Sequence, residues 1–345
     1  MKLGIISDLR NPEEPRFHRS WVEHYSGFLD LVVQLEGLGF EEVVFPEHHF
    51  EPDGYIPNPI PMMTAVAAKT EKMLIGADLF RLPDWHPVRL AEDVAMVDIL
   101  SNGRVLFKAG AGGLYPPVSN GLGWDSRRQL SRSTESMEII LKCWTEEVFD
   151  WKGSHYKLKG VRANPKPVQK PHPPIFMPAM NPKAMERNAR EGYGAAMAGG
   201  RWTLERDDLG WWKGWHREWV EALARHGRTT KECPASVFMN FFCTDDPERA
   251  WAKHREGILY VTHAYAALRS EPLLPNTPEE LPHWDKVFLT PDQMVKLLRE
   301  LFDGAPPDHL LLWDATPGMT YEESFESHKT FIERVWPQLT DLALS

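Results

Sequence analysis

The sequence predicts one closed (β/α)8 barrel over residues 1–345, an α/β fold with loop insertions at the carboxyl ends of its strands. Three observations carry this prediction. Short apolar runs alternate with helix-periodic stretches through about eight repeats, and no Pro/Gly/Ser-rich linker separates two halves. The length, 345 residues, suits such a barrel with insertions. A concentrated set of titratable groups, Glu47-His48-His49, falls directly behind the apolar run Val43-Val44-Phe45, where a parallel α/β fold gathers its chemistry. A doubly wound sheet is the rival architecture, but it rarely needs eight units.

Each element has a local reason. Leu3–Ile6 reads as the first strand. Phe28, Leu31, Val32, Leu35 and Leu38 follow helical spacing, and Gly39 can end that helix. Val43–Phe45 is the second strand and Met73–Leu79 the third. Pro87 opens a helix with Leu90, Val94, Val97 and Leu100 inward, stopped by Asn102-Gly103. Val105–Ala109 is the fourth strand, and Met137, Ile140, Leu141 and Trp144 mark the helix behind it. Pro174–Pro178 is the fifth strand, followed by Asn181 as N-cap and Pro182 at the first helical position. Ala195–Ala198 and Val237–Cys243 are the sixth and seventh strands. Thr290 to Gln293 is a capping-box start, His309–Trp313 is the eighth strand, and Thr320 to Glu323 opens the last helix in the same way. Segments near 110–131, 148–173, 200–234 and 258–289 are too long for simple connections and read as insertions.

Composition narrows the function classes. Apolar residues make up 42% and charged residues 26%, an ordinary globular balance. The net charge of −10, without a long basic run, argues against nucleic acid or an anionic membrane as partner. The three cysteines, Cys143, Cys233 and Cys243, include no CxxC pair, which points to a reducing compartment and no structural zinc. The amino terminus runs straight into a strand-like segment, and no run approaches 18 apolar residues. A cytoplasmic protein is the expectation.

Further signals have alternative readings. In Glu47-His48-His49, adjacent strand residues point to opposite faces, so the two histidines do not readily share an ion; no metal is expected, and one histidine is expected to touch ligand. Ala109-Gly110-Ala111-Gly112-Gly113 either lets backbone approach a ligand or is a plain turn. Asn181 either binds phosphate at a helix start or simply caps it. The stripe Trp211, Trp212, Trp215 and Trp219 favours core or subunit packing over a ligand platform and suggests a homodimer. A sugar-cleaving reading needs a carboxylate pair, and only Glu47 and Asp78 offer themselves.

Several motifs, in order and spacing, resemble the bacterial luciferase-like flavin monooxygenases over nearly the whole chain. They are Gly37-Leu38-Gly39-Phe40 leading to Glu47-His48-His49-Phe50, Pro57-Asn58-Pro59, the stretch Leu82 to Asp93, and Ser101-Asn102-Gly103-Arg104. Gly110-Ala111-Gly112, Leu114-Tyr115, Asn164 to Pro174 and the Asn181 helix start complete the set. The resemblance implies a TIM barrel that holds reduced FMN at the carboxyl ends of its strands and uses molecular oxygen to oxidise a small organic substrate. The reduced FMN is expected from a separate flavin reductase. His48 is implied as the catalytic, proton-handling residue. Glu47, Asp78, Leu79, Ala109, Gly110, Ala111, Gly112, Met180 and Asn181 are implied as cofactor contacts, with a cis peptide at Asp78-Leu79 under the flavin. The family's phosphate-holding arginine behind the fourth strand is replaced here by Ala111-Gly112. The grip is therefore expected from Asn181, backbone N–H groups, Lys183 or Arg132. A deazaflavin-dependent hydride transfer, or a flavin-binding protein without catalysis, are the alternative readings.

Overall fold

The computed structural model describes residues 1–113, 116–197, 210–268, 271–272, 275–281 and 284–344. Eight parallel strands close on themselves in sequence order: β1 Lys2–Ile6, β2 Glu42–Phe45, β3 Leu74–Ala77, β4 Val105–Gly110, β5 Ile175–Pro178, β6 Gly194–Met197, β7 Ala235–Met239 and β8 His309–Trp313. The closing pair is β1 with β8, in register from Lys2 opposite His309 to Ile6 opposite Trp313. Pairing of Ile75 with Val105 joins β3 to β4 and leaves no open edge. The expected (β/α)8 barrel is present.

The helices lie outside: α1 Trp21–Leu38, α2 Pro59–Lys69, α3 Pro87–Leu100, α4 Gln129–Thr145, α5 Pro182–Glu191, α6 Trp211–Arg225, α7 Pro247–Leu268, α8 Pro291–Phe302 and α9 Tyr321–Thr330. Their ends follow the chemistry of the sequence. Ser20 accepts from the Glu23 N–H, and Gly39 closes α1 with φ of 100°, a conformation that suits glycine. Thr290 and Thr320 each form a complete capping box. Two motifs that look like family signatures turn out to be staples. Arg104 donates to the carbonyls of Ala67, Thr70, Met73 and Ser101, tying the ends of α2 and α3 together. Gln169 donates to Asp98 and to the Val105 carbonyl, beside the cis bond of Lys170-Pro171.

Three expectations are corrected. The seventh strand stops at Met239, and Phe242–Cys243 instead pairs with Phe288–Leu289 outside the barrel. The supposed insertion at 258–289 begins later, because α7 runs to Leu268. The tryptophan stripe is not a subunit surface: Trp212, Trp215 and Trp219 are buried, and the first two donate to the Ala305 and Ala179 carbonyls. The surface argument for a homodimer therefore falls away. Ala198, the last residue of the expected sixth strand, and Leu114-Tyr115 lie outside the described residues. No described helix is long and apolar enough to cross a membrane.

Candidate active site at the carboxyl ends of the strands

A cavity of about 1100 Å³ opens at the carboxyl ends of the barrel strands. Glu47 and His48 behind β2, Asp78 and Leu79 behind β3, Gly110, Ala111 and Gly112 at the end of β4, and Met180 and Asn181 behind β5 all line it. Ala109, one residue deeper, is fully buried in the core and outside that wall. Nine of the ten residues singled out from the sequence therefore share one chamber, the size range of cofactor and substrate sites.

The β2 end is built around Glu47. Its buried carboxylate accepts from the Trp85 indole at 2.8 Å, the Arg81 N–H at 2.9 Å and His49 Nε2 at 3.0 Å. Burial raises its pKa, against the pull of these donors. Glu47, His49 and Asp84 converge closely enough to resemble a metal-ligand set, but the Glu47 oxygens are already spent on hydrogen bonds. His49 thus braces the strand end, while His48 faces the chamber. The His48 ring stacks on Tyr55 at 4.3 Å, and the Arg10 guanidinium covers a Tyr55 face at 3.8 Å. Burial first, then the positive charges of Arg10 and Arg81, push the His48 pKa well below the ordinary histidine value. Its imidazole is neutral at pH 7. Among the described residues no group hydrogen-bonds its ring nitrogens, which leaves them to a ligand.

Beyond Tyr55 lies a polar wall that the sequence did not announce. The Tyr55 and Tyr265 hydroxyls meet at 2.8 Å, and Tyr265, on α7, lines the cavity. Arg10 is held by Asp8 and Asp53 at 3.0 and 2.6 Å. Burial lifts the Tyr265 hydroxyl to about 12, so it stays protonated and can donate. These residues come from three separated stretches, and no spacing rule links them.

At the cavity floor, Asp78-Leu79 is a cis peptide, as the resemblance implied. The Asp78 carboxylate faces Lys108 at 3.6 Å. Lys108 is wholly buried inside the barrel and forms an ion pair with Glu42 at 2.6 Å, and Glu42 also bonds to His309. Burial alone would raise the Glu42 pKa, but Lys108 and His309 outweigh it and hold it near 2.

The glycine loop behind β4 lies tight against neighbouring side chains. A Cβ on Gly110 would press on Pro178 at 3.0 Å, and one on Gly112 would lie 2.3 Å from Arg81 Nη1. Gln129 gathers the carbonyls of Ala111, Gly112 and Gly113 with its amide at 2.6, 2.9 and 3.2 Å. Asn181 caps α5, its oxygen accepting from the Ala184 N–H at 3.0 Å, and Met180 stands half exposed beside it. Arg132 turns away to the Pro83 carbonyl and the Tyr156 ring, and Lys183 is exposed outside the cavity wall. Neither supplies the expected cation. Arg81, missed from the sequence because a lone arginine carries no motif, stands against the loop instead.

Comparison with known proteins agrees with this architecture. The chain belongs to the luciferase-like monooxygenase family, whose model matches residues 1–288. It is 32% identical over 176 residues to an F420-dependent glucose-6-phosphate dehydrogenase of Microbacterium testaceum, covering 48% of this chain and 51% of that one. It is 27% identical over 172 residues to the oxygenase component of the flavin-dependent trigonelline monooxygenase of Acinetobacter baylyi, covering 49% and 47%. The chain thus spans about half the length of these curated relatives. In fold it superposes on monooxygenase RslO1 from Streptomyces bottropensis with a TM-score of 0.85 and 24% identity, covering 98% of this chain and 99% of that one.

Proposed function

We propose that this protein is the oxygenase component of a two-component flavin-dependent monooxygenase, taking reduced FMN from a reductase and oxidising a small organic substrate with molecular oxygen. The observation that carries the reading is the single large chamber in which a neutral His48, the Asp78-Leu79 floor and the Gly110–Gly113 loop face one another. The glycines and the α5 start suit a flat cofactor with a phosphorylated tail. When bound, reduced flavin supplies the electrons that activate oxygen. The chain's own residues do the rest. His48 Nδ1 or Nε2 holds or takes a proton at the reacting edge, a task for an imidazole that is neutral near pH 7. Leu79, Met177 and Leu268 give the chamber wall apolar surface that works against water beside the reacting groups. Phe238 and the Tyr265 hydroxyl suit a substrate with an apolar body and one hydrogen-bond acceptor, such as a carbonyl.

Similarity to an oxygenase component supports the reductase partner, and similarity to an F420-dependent dehydrogenase supports the second reading, hydride transfer with a deazaflavin. Anaerobic titration with reduced FMN and with reduced F420, followed by admission of oxygen, separates the two. Tight binding of reduced FMN and an oxygen-dependent change in the flavin absorbance spectrum are expected. Binding of F420 with no response to oxygen would overturn the monooxygenase reading.

A further inference from the structure

Among the described residues, the chamber wall holds one arginine with a buried donor that has no acceptor. Three arginines line it: Arg81, Arg187 and Arg190. Arg187 donates to the Asn188 side chain and the Pro178 carbonyl, and Arg190 pairs with Glu191. Arg81 differs. Its side chain is 5% exposed, and Asp84 takes its Nε at 2.6 Å. Its Nη1 reaches the Gly113 carbonyl only at 3.4 Å, and its Nη2 is buried with no hydrogen-bond acceptor among the described residues. A buried, unsatisfied guanidinium N–H costs free energy unless something arrives to accept from it.

The neighbouring loop is built to the same end. Gly112 adopts φ of +75°, and any side chain there would displace the Arg81 guanidinium. Gln129 draws the loop carbonyls to itself, and among the described residues the N–H groups of Ala111, Gly112 and Gly113 have no acceptor. Successive free N–H groups beside a guanidinium edge form an anion nest, and the start of α5 at Asn181 opens on the same cavity. Asp84 holds the Nε side of the fork, so the Nη side is the part left for the ligand.

We propose that Arg81 grips the terminal phosphate of bound flavin mononucleotide, with the Ala111–Gly113 N–H groups completing the nest. This rests on the flavin reading above. A planar guanidinium bonded to a dianionic phosphate makes a charge-assisted, paired contact that lysine, a point charge, does not reproduce.

The test compares anaerobic binding of reduced FMN and of reduced riboflavin, which lacks the phosphate, to the wild-type protein, Arg81→Gln and Arg81→Lys. Wild type is expected to prefer FMN by roughly 10- to 100-fold, the worth of a charge-assisted pair. Arg81→Gln should lose that preference while its riboflavin affinity stays unchanged, which also reports an intact pocket. Arg81→Lys should retain part of it. Inorganic phosphate should weaken FMN binding to wild type and leave riboflavin binding untouched. An Arg81→Gln protein with its full preference for FMN would overturn the proposal and leave the flavin reading standing, with the guanidinium serving an anionic substrate instead. Equal binding of FMN and riboflavin by wild type would overturn it too. Failure of wild type to bind either flavin would overturn both.

Discussion

His48 and His49 differ by one position in the chain and by their whole chemical setting. The pleat turns His48 onto Tyr55 and into the chamber, and turns His49 onto the Glu47 carboxylate. His48→Ala is therefore expected to lower turnover roughly 10²- to 10⁴-fold, the usual worth of a positioned acid or base, with flavin affinity nearly unchanged. His49→Ala should leave turnover closer to wild type and cost about 1 kcal/mol of stability, since Glu47 keeps its Trp85 and Arg81 donors. Steady-state kinetics with paired thermal melts read both; abolished turnover in His49→Ala beside an active His48→Ala would reverse the roles. The Glu-His-His run was legible in the sequence because it is contiguous and sits behind an apolar strand. Arg81 and Tyr265 were not, because the fold alone brings them to the chamber wall, and neither were Tyr55 and Arg10, which it stacks behind His48.

Among elements, the hairpin Phe149–Lys152 and Lys157–Val161 shows how an insertion is tied down. Glu135 on α4 accepts from the Trp151 indole and from the N–H groups of Ser154, His155 and Tyr156. Burial would raise its pKa, but these donors prevail and hold it at about 2. The unfolded chain takes up the proton near 4.5, so this stabilisation is present above that value and lost as the pH falls toward 2. Glu135→Ala should loosen the hairpin, seen as faster amide exchange at residues 154–156 at neutral pH, with the difference from wild type vanishing in strong acid. The barrel strands and capped helices could be read in advance because their signals are local: alternating apolar runs, Asn and Thr caps, Gly39. The hairpin could not, since one carboxylate on a distant helix organises it. The seventh strand was overextended for a related reason: Phe242 and Cys243 are apolar enough to continue it, yet they pair with Phe288 and Leu289.

At the scale of the whole molecule, buried histidines set a limit on acid tolerance. Burial lowers the pKa of His328 to about 4, with its ring on the Ser324 carbonyl at 2.7 Å. The unfolded chain protonates this residue near 6.5 and the folded chain only near 4, so stability is lost as the pH falls through that window. Asp314, raised to about 8 mainly by burial, works in the opposite sense, keeping a proton that the unfolded chain releases near 3.8. The clean readout is a difference: the stability advantage of wild type over His328→Gln should shrink by on the order of 3 kcal/mol from pH 7 to pH 4 in urea titrations. An advantage constant with pH would show that His328 does not sense acid.

The buried lysine has a consequence for anyone who would redesign the pocket. From Asp78 at the floor, charge runs through Lys108 and Glu42 to His309, the first residue of β8 and so at the blind end of the barrel. Lys108→Met strands Glu42 in the core and should cost roughly 3–5 kcal/mol, part of which Lys108→Met with Glu42→Gln should restore in chemical denaturation. It also strips Asp78 of its counter-charge, so its carboxyl should go neutral and reduced-flavin affinity should move with it. The barrel thus behaves like a keyed shaft rather than a bowl on a pedestal. A residue chosen at the closed end purely for robustness is, through one lysine side chain, also a choice about the polarity of the surface on which the ligand rests.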